Sequence, residues 1–211
     1  MKSLKLLYGT GNPAKLSSMK QALAPVGIEL IGLKDMQTAA PDVDESGSSP
    51  LENARIKALA YFKHYGVPVF SCDSGLYFNN VPDEIQPGVN VRRVGGKNLT
   101  DEEMTGYYSS LAAKYGRLTA RYKNAVCLVL SDGHIIESMD ESLWGEPFYI
   151  VEKPHEKRVE GFPLDRISVE IRSGKYFYDL PEYSENDLVS ERNGFANFFT
   201  KVLNDIKEGV S

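Results

Sequence analysis

Leu4-Lys5-Leu6-Leu7-Tyr8-Gly9-Thr10-Gly11-Asn12-Pro13-Ala14-Lys15 decides the architecture. Leu4 to Tyr8 is an apolar run of strand length that ends in a glycine-rich turn. Asn12 followed by Pro13 is a helix start: a side chain that caps free N–H groups, then a proline at the first helical position, where its missing N–H costs nothing. A strand delivered straight into a helix opens an α/β domain. The helix is expected to reach about Ala24, and Ile28 to Ile31 reads as a second strand.

The pattern then repeats. Lys34 to Ser49 is a polar loop, and Ser49-Pro50-Leu51-Glu52 fits a capping box opening a helix to Tyr65, with Gly66 at its C-cap. Val67 to Cys72 reads as a strand ending at Asp73-Ser74-Gly75, and Asn79 to Asn98 as loop. Thr100-Asp101-Glu102-Glu103 caps a helix to about Tyr115. Arg117 to Leu130 reads as a long strand, returned by His134 to Leu143 through the turn Ser131-Asp132-Gly133. Arg166 to Ile171 is a further short strand, and Phe195, Phe198, Phe199, Val202, Leu203 and Ile206 form one helical stripe. The expectation is a single α/β domain over residues 1–211, with a mixed sheet flanked by helices.

Composition bounds the function. Hydrophobic and charged fractions of 42% and 25% are those of a globular protein, and the net charge of −5 disfavours a nucleic-acid surface. No stretch approaches the ~20 apolar residues of a membrane span, and the N-terminus reads as a strand, not a signal peptide. Cys72 and Cys127 make neither a disulfide framework nor a zinc pattern and read as buried thiols of a cytoplasmic protein. His64, His134 and His155 share no metal-ligand spacing, and Trp144 reads as packing.

Four segments carry chemistry. Thr10-Gly11-Asn12 with Lys15 places a helix N-terminus, close-approach glycines and a cation where phosphate binds. Asp44-Glu45-Ser46-Gly47 offers adjacent carboxylates for Mg²⁺, which prefers oxygen ligands. Asn53 and Lys57 share one helix face, while Glu52 serves the capping box. Asp73-Ser74-Gly75, read at the end of a strand, puts a carboxylate where α/β folds hold ligands. Each alone also reads as an ordinary turn, cap or solvated loop.

Together and in this order, the segments resemble the inosine triphosphate pyrophosphatase family, which acts on non-standard purine triphosphates. Its Thr-Gly-Asn-x-x-Lys corresponds to Thr10–Lys15, its Glu-x-Gly to Glu45–Gly47, and its Glu-Asn-Ala-x-x-Lys-Ala to Glu52–Ala58. Its Asp-Asp-Ser-Gly-Leu corresponds to Cys72–Leu76, and its Pro-Gly-x-x-x-x-Arg ends at Arg93. The resemblance implies an elongated mixed sheet with two lobes and a cleft, a homodimer, Mg²⁺ dependence, and release of nucleoside monophosphate and pyrophosphate. It implies Asp73 as general base, Glu45 with Asp44 or Asp73 on the metal, and Lys15, Lys57, Asn12 and Ser74 on phosphate. Thr10, Gly11, Asn53, Gly75 and Arg93 complete the implied substrate contacts in this half.

The base-reading half departs from the pattern. Where the family has Gly-Phe-Gly-Tyr-Asp-Pro, this chain keeps Phe162 and Asp165 but has Leu164 for the Tyr; Asn186 replaces a Lys, and Ser-His-Arg becomes Ser190-Glu191-Arg192. Cys72 replaces the first carboxylate of the Asp pair. Two rivals follow: a nucleotide-binding module without catalysis, and the related pyrophosphatases of modified pyrimidine or methylated nucleotides.

Overall fold

The computed structural model describes residues 4–79, 81–180 and 186–208, and does not extend to the side chains of residue 14 and residues 186–193. Strand β1 (Leu4–Tyr8) runs into helix α1 (Pro13–Leu23), whose first turn is capped by the Asn12 side chain accepting the Lys15 N–H. Strand β2 (Ile28–Gly32) lies parallel to β1. Helix α2 (Pro50–Tyr65) starts at Ser49, whose hydroxyl accepts the Glu52 N–H, and ends at Gly66 in the left-handed region (φ 65°). The Glu52 carboxylate accepts from the Ser48 N–H and hydroxyl, so the expected capping arm reaches one residue further back.

Strand β3 (Val69–Phe78) follows, parallel to β1. Next come the short pair β4 (Arg93–Val94) and β5 (Lys97–Asn98), helix α3 (Asp101–Tyr115) and the long strand β6 (Leu118–Ser131). Strand β7 (His134–Ser138) returns along β6, β8 (Phe148–Ile150) pairs with β6, and β9 (Ser168–Glu170) pairs with β8, all antiparallel. Helix α4 (Asn186–Glu208) closes the described chain. Among the described residues seven strands form one mixed sheet in the order β2-β1-β3-β6-β8-β9, with β7 also on β6. The expected α/β class with a helix-flanked mixed sheet is what forms.

The chain divides into two compact units. The first takes the residues up to Ser74, Asn124–Trp144 and those from Leu188 on; the second takes Gly75–Lys123 and Gly145–Asp187. In the first, one apolar cluster joins Leu6, Tyr8, Leu23, Phe70 and Leu128 to Phe195, Phe199 and Val202, and another joins Leu7, Val69, Cys127 and Val129 to Ala54, Ala58 and Tyr61 of α2. In the second, Leu76, Phe78, Tyr108, Leu118, Phe148 and Ile167 form the core. Burial of these apolar side chains is the main favourable term in each unit.

Four expectations need correcting. β3 does not stop at Cys72 but carries Asp73-Ser74-Gly75 inside a ten-residue strand. The turn chemistry of Asp-Ser-Gly yields to pairing: the Leu76 N–H donates to the Gly88 carbonyl, and the Gly88 N–H returns the bond. The stretch read as loop from Asn79 holds the β4–β5 hairpin, turned by Gly95 and Gly96 at φ 56° and 80°. The return strand from His134 ends at Ser138, because Asp140 caps a 3₁₀ turn at Glu141–Leu143. Ile206 is 41% exposed and lies off the buried stripe of α4.

Candidate active site

Helix α2 buries Pro50, Asn53, Ala54, Lys57, Ala58 and Tyr61 on one face. That stripe is apolar except for Asn53 and Lys57, which are only 3% and 9% exposed. Buried polar groups need partners, and here they are carboxylates. The Lys57 ammonium donates to Asp73 Oδ1 and to Glu45 Oε2, both at 2.8 Å. Asn53 Nδ2 donates to Asp73 Oδ2 at 3.2 Å, and Asn53 Oδ1 accepts the Gly47 N–H at 2.8 Å. Both Asp73 oxygens are therefore engaged, each by a residue one helical turn from the other.

Burial alone would lower the Lys57 pKa. The bonds and charges of Asp73 and Glu45 outweigh it, and the ammonium is held above its ordinary value. Gly47 lets the acidic loop close on α2: a Cβ there would stand 2.7 Å from Asn53 Oδ1 and 2.9 Å from the Asn53 backbone nitrogen. Glu45, Asn53, Lys57 and Asp73 are thus four residues from three segments brought to one point.

The β1–α1 turn lies beside this strand. The Gly9 N–H donates to the Phe70 carbonyl at 2.8 Å, so Thr10–Asn12 leave the sheet next to Ser71–Asp73. The Asn12 N–H donates to Thr10 Oγ1, and Lys15 is exposed in the first helical turn. The two glycines of the turn differ. A Cβ on Gly9 would collide with Ser71 and Tyr61, whereas a Cβ on Gly11 meets nothing within 4 Å.

Cys72 points to the other side of β3 and packs against the cluster that holds Phe70 and Phe199. Burial pushes its thiol up to about 12, against the smaller opposing effects of a Tyr8 hydrogen bond and the charges of Lys15 and Lys57. Ser74 Oγ donates to Asn124 Oδ1 at 2.7 Å, and Asn124 Nδ2 donates to the Leu143 carbonyl. Gly75 has a packing reason to be glycine, since a Cβ would stand 2.9 Å from the Gly88 carbonyl oxygen.

The remaining expected residues are placed otherwise. Arg93 lines a cavity of about 230 Å³ with Glu84, Gln86, Asn90 and Tyr107, all within the second unit, and none of the four clustered residues lines it. Phe162 is 56% exposed, and the Asp165 N–H donates to its carbonyl. The side chains of Glu191 and Arg192 lie outside the described residues. Sequence reasoning missed Asn124, an isolated amide in an apolar strand. It also missed Tyr178, whose hydroxyl donates to the Phe162 carbonyl and whose pKa is raised by burial and then by the Asp165 charge.

The donor set fits a hard divalent ion. Glu45 and Asp73 present carboxylate oxygens that already converge on a cation, and Mg²⁺ takes one or two carboxylates and completes its shell with phosphate and water. Asp44 is exposed next to Glu45, and among the described residues no three His, Cys, Asp or Glu side chains form a cage by themselves.

The Ham1 family model matches residues 6–200. This chain belongs to the Ham1 family. A Thermus thermophilus member named dITP/XTP pyrophosphatase is 33% identical over 182 residues, covering 85% of this chain and 83% of that protein. A Rhodopseudomonas palustris protein of the same name is 37% identical over 138 residues, 63% of this chain and 64% of that one. Among solved Ham1 structures, a protein from Coxiella burnetii superposes with a TM-score of 0.74 at 24% identity, covering 96% of this chain and 99% of that one, which shows the fold alone. The nucleoside-triphosphatase / dITP/XTP pyrophosphatase of Mycobacterium abscessus gives 0.68 at 27% identity over 93% and 98% of the two chains. The four clustered residues and the β1–α1 turn all lie within the span that the Ham1 model matches.

Proposed function

We propose that this chain hydrolyses non-standard purine nucleoside triphosphates, such as those of inosine and xanthosine, to nucleoside monophosphate and pyrophosphate. The observation that carries the reading is the Lys57–Asp73–Glu45–Asn53 cluster, with Asn53 and Lys57 buried, beside a helix N-terminus, in a chain similar to named dITP/XTP pyrophosphatases. Asp73 accepts the proton of the attacking water. Lys57, Lys15 and the Thr10–Asn12 turn hold phosphate, with Ser74 beside them, and stabilise charge as pyrophosphate leaves. Glu45 and Asp73 hold Mg²⁺, which when bound neutralises the triphosphate and polarises it. The family resemblance assigns base reading to Phe162, Asp165, Glu191 and Arg192. The same reading includes a homodimer, supported by the family resemblance, working in the cytoplasm, supported by two free thiols. Because Cys72 faces the apolar layer, the lost carboxylate leaves Glu45 and Asp73 in place, which favours an active enzyme over a bare binding module. The test is pyrophosphate release with Mg²⁺ across a triphosphate panel; nucleotide binding without release would favour the module.

The turn is expected to serve the ligand rather than the fold. Lys15 puts a cation in a first helical turn, where the macrodipole disfavours it, and Gly11 has open space. Lys15→Ala and Gly11→Ala should each raise KM for triphosphate while the melting temperature stays within about 2 °C, as for exposed sites. Loss of stability with unchanged kinetics would make both residues structural.

Glu191 sets the expected specificity. An ionised carboxylate only accepts hydrogen bonds, so beside a 6-keto oxygen it opposes acceptor to acceptor, at a cost of about 1–3 kcal/mol. Discrimination for inosine over adenosine triphosphate should therefore be weak, and Glu191→His should raise it about tenfold. The measurement is kcat/KM for the inosine, xanthosine, guanosine and adenosine triphosphates. A wild-type preference of several orders of magnitude for inosine would place base reading elsewhere.

A further inference from the structure

Lys57 stands in the cluster as a cation with two carboxylate partners, Glu45 Oε2 and Asp73 Oδ1, each at 2.8 Å. Its side chain is 11% exposed, that of Asp73 16% and that of Glu45 45%, so the trio opens to solvent on the Glu45 side. One ammonium between two carboxylates leaves the trio with a single net negative charge. A divalent ion bridging the same two oxygens would have to sit within a few ångströms of that ammonium, and the two charges repel. The carboxylates thus cannot serve Lys57 and a metal ion at the same oxygens together.

We propose that Lys57 is a built-in placeholder: it holds Glu45 and Asp73 in the geometry a divalent ion needs, and it exchanges from them to the triphosphate when metal and nucleotide arrive together. The proposal rests on the pyrophosphatase reading and adds to it a thermodynamic coupling. The incoming anion gives the ammonium a new partner, and the vacated carboxylates take the ion, so each ligand tightens the other by the same factor. Free metal binds poorly in this scheme, because the ammonium must leave two carboxylates for water.

The surrounding contacts suit such an exchange. Asn53 ties the acidic loop to Asp73 independently of Lys57, through the Gly47 N–H at 2.8 Å and Asp73 Oδ2 at 3.2 Å. The frame therefore persists when Lys57 leaves. Exchange also frees Asp73 Oδ1, the oxygen that Lys57 occupies, while Oδ2 stays with Asn53. A four-carbon stem lets the ammonium move without moving α2.

The test uses Mn²⁺ and inorganic tripolyphosphate as probes. Bound Mn²⁺ is read from the loss of its free electron-paramagnetic-resonance signal, and tripolyphosphate binding by titration calorimetry. Wild type should bind free Mn²⁺ at least tenfold more weakly than Lys57→Met or Lys57→Gln, the second keeping a hydrogen-bond donor without charge. Wild type should also bind Mn²⁺-saturated tripolyphosphate at least tenfold more tightly than tripolyphosphate alone, an arm that needs no variant. Wild type binding free Mn²⁺ as tightly as the variants, or binding tripolyphosphate equally with and without Mn²⁺, overturns the proposal. A protein that shows the coupling but releases no pyrophosphate from any triphosphate overturns the pyrophosphatase reading and leaves the placeholder standing.

Discussion

Replacing Asp73 by Asn should lower kcat for pyrophosphate release by about 10²- to 10⁴-fold, the range over which a positioned general base contributes. The substitution keeps size and one acceptor oxygen but removes the negative charge and the proton acceptor. It also sets an amide NH₂ against one of two existing donors, the Lys57 ammonium or Asn53 Nδ2. Asn53 cannot turn its amide to help without giving up the Gly47 N–H. Lys57 keeps Glu45, so the buried ammonium is not orphaned and the fold should survive. A melting curve beside the kinetics separates the two effects. Near-normal turnover in a folded Asp73→Asn protein would remove Asp73 from the chemistry, and loss of folding would recast it as the structural partner of Lys57.

The parts of this molecule legible in its sequence are those written locally. Both ends of α2 are specified by side chains within one turn of them, Ser49 and Pro50 at the start and Gly66 at the end, and the helix forms between those marks. Thr100 and Glu103 specify the start of α3 in the same way. Asn53 and Lys57 could be put on one face from spacing alone. That this face is buried, and that its polar pair meets Asp73, depends on contacts 20 and 16 residues away.

Where reading failed, a distant partner overrode local preference. Asp73-Ser74-Gly75 has the composition of a turn, yet Gly88 and the neighbouring strands hold it extended. Asn124 carries no local mark, and its role appears only because Ser74, 50 residues earlier, donates to it. The Gly95-Gly96 pair was a readable hairpin signal between Val94 and Lys97, obscured by the prolines before it. Motif glycines are equally ambiguous from sequence: Gly75 is explained by the approach of Gly88, whereas Gly11 has no packing reason to lack a side chain.

Gly9 and Gly11 belong to one turn, and substituting them should have opposite consequences. A Cβ on Gly9 would lie 2.2 Å from Ser71 Oγ and 2.5 and 2.9 Å from two Tyr61 ring atoms. Ser71 can rotate; Tyr61, buried on α2 one turn beyond Lys57, cannot move without shifting that helix or its own ring packing. Overpacking of this kind costs about 1–3 kcal/mol, and each kcal/mol lowers the melting temperature by about 2–4 °C at this size. Gly9→Ala should therefore melt several degrees below wild type, where Gly11→Ala melts with it. Kinetics should suffer too, because β1 and α2 are the two elements that Gly9 lets approach, and they carry the phosphate turn and Lys57 respectively. Tyr61→Ala, which opens the space, should absorb the added methyl. In the double variant the two losses of stability should fall short of their sum by at least about 0.5 kcal/mol, as expected for side chains in direct contact. Strict additivity would mean that the collision is relieved elsewhere, and that the close approach of α2 to β1 does not depend on Gly9.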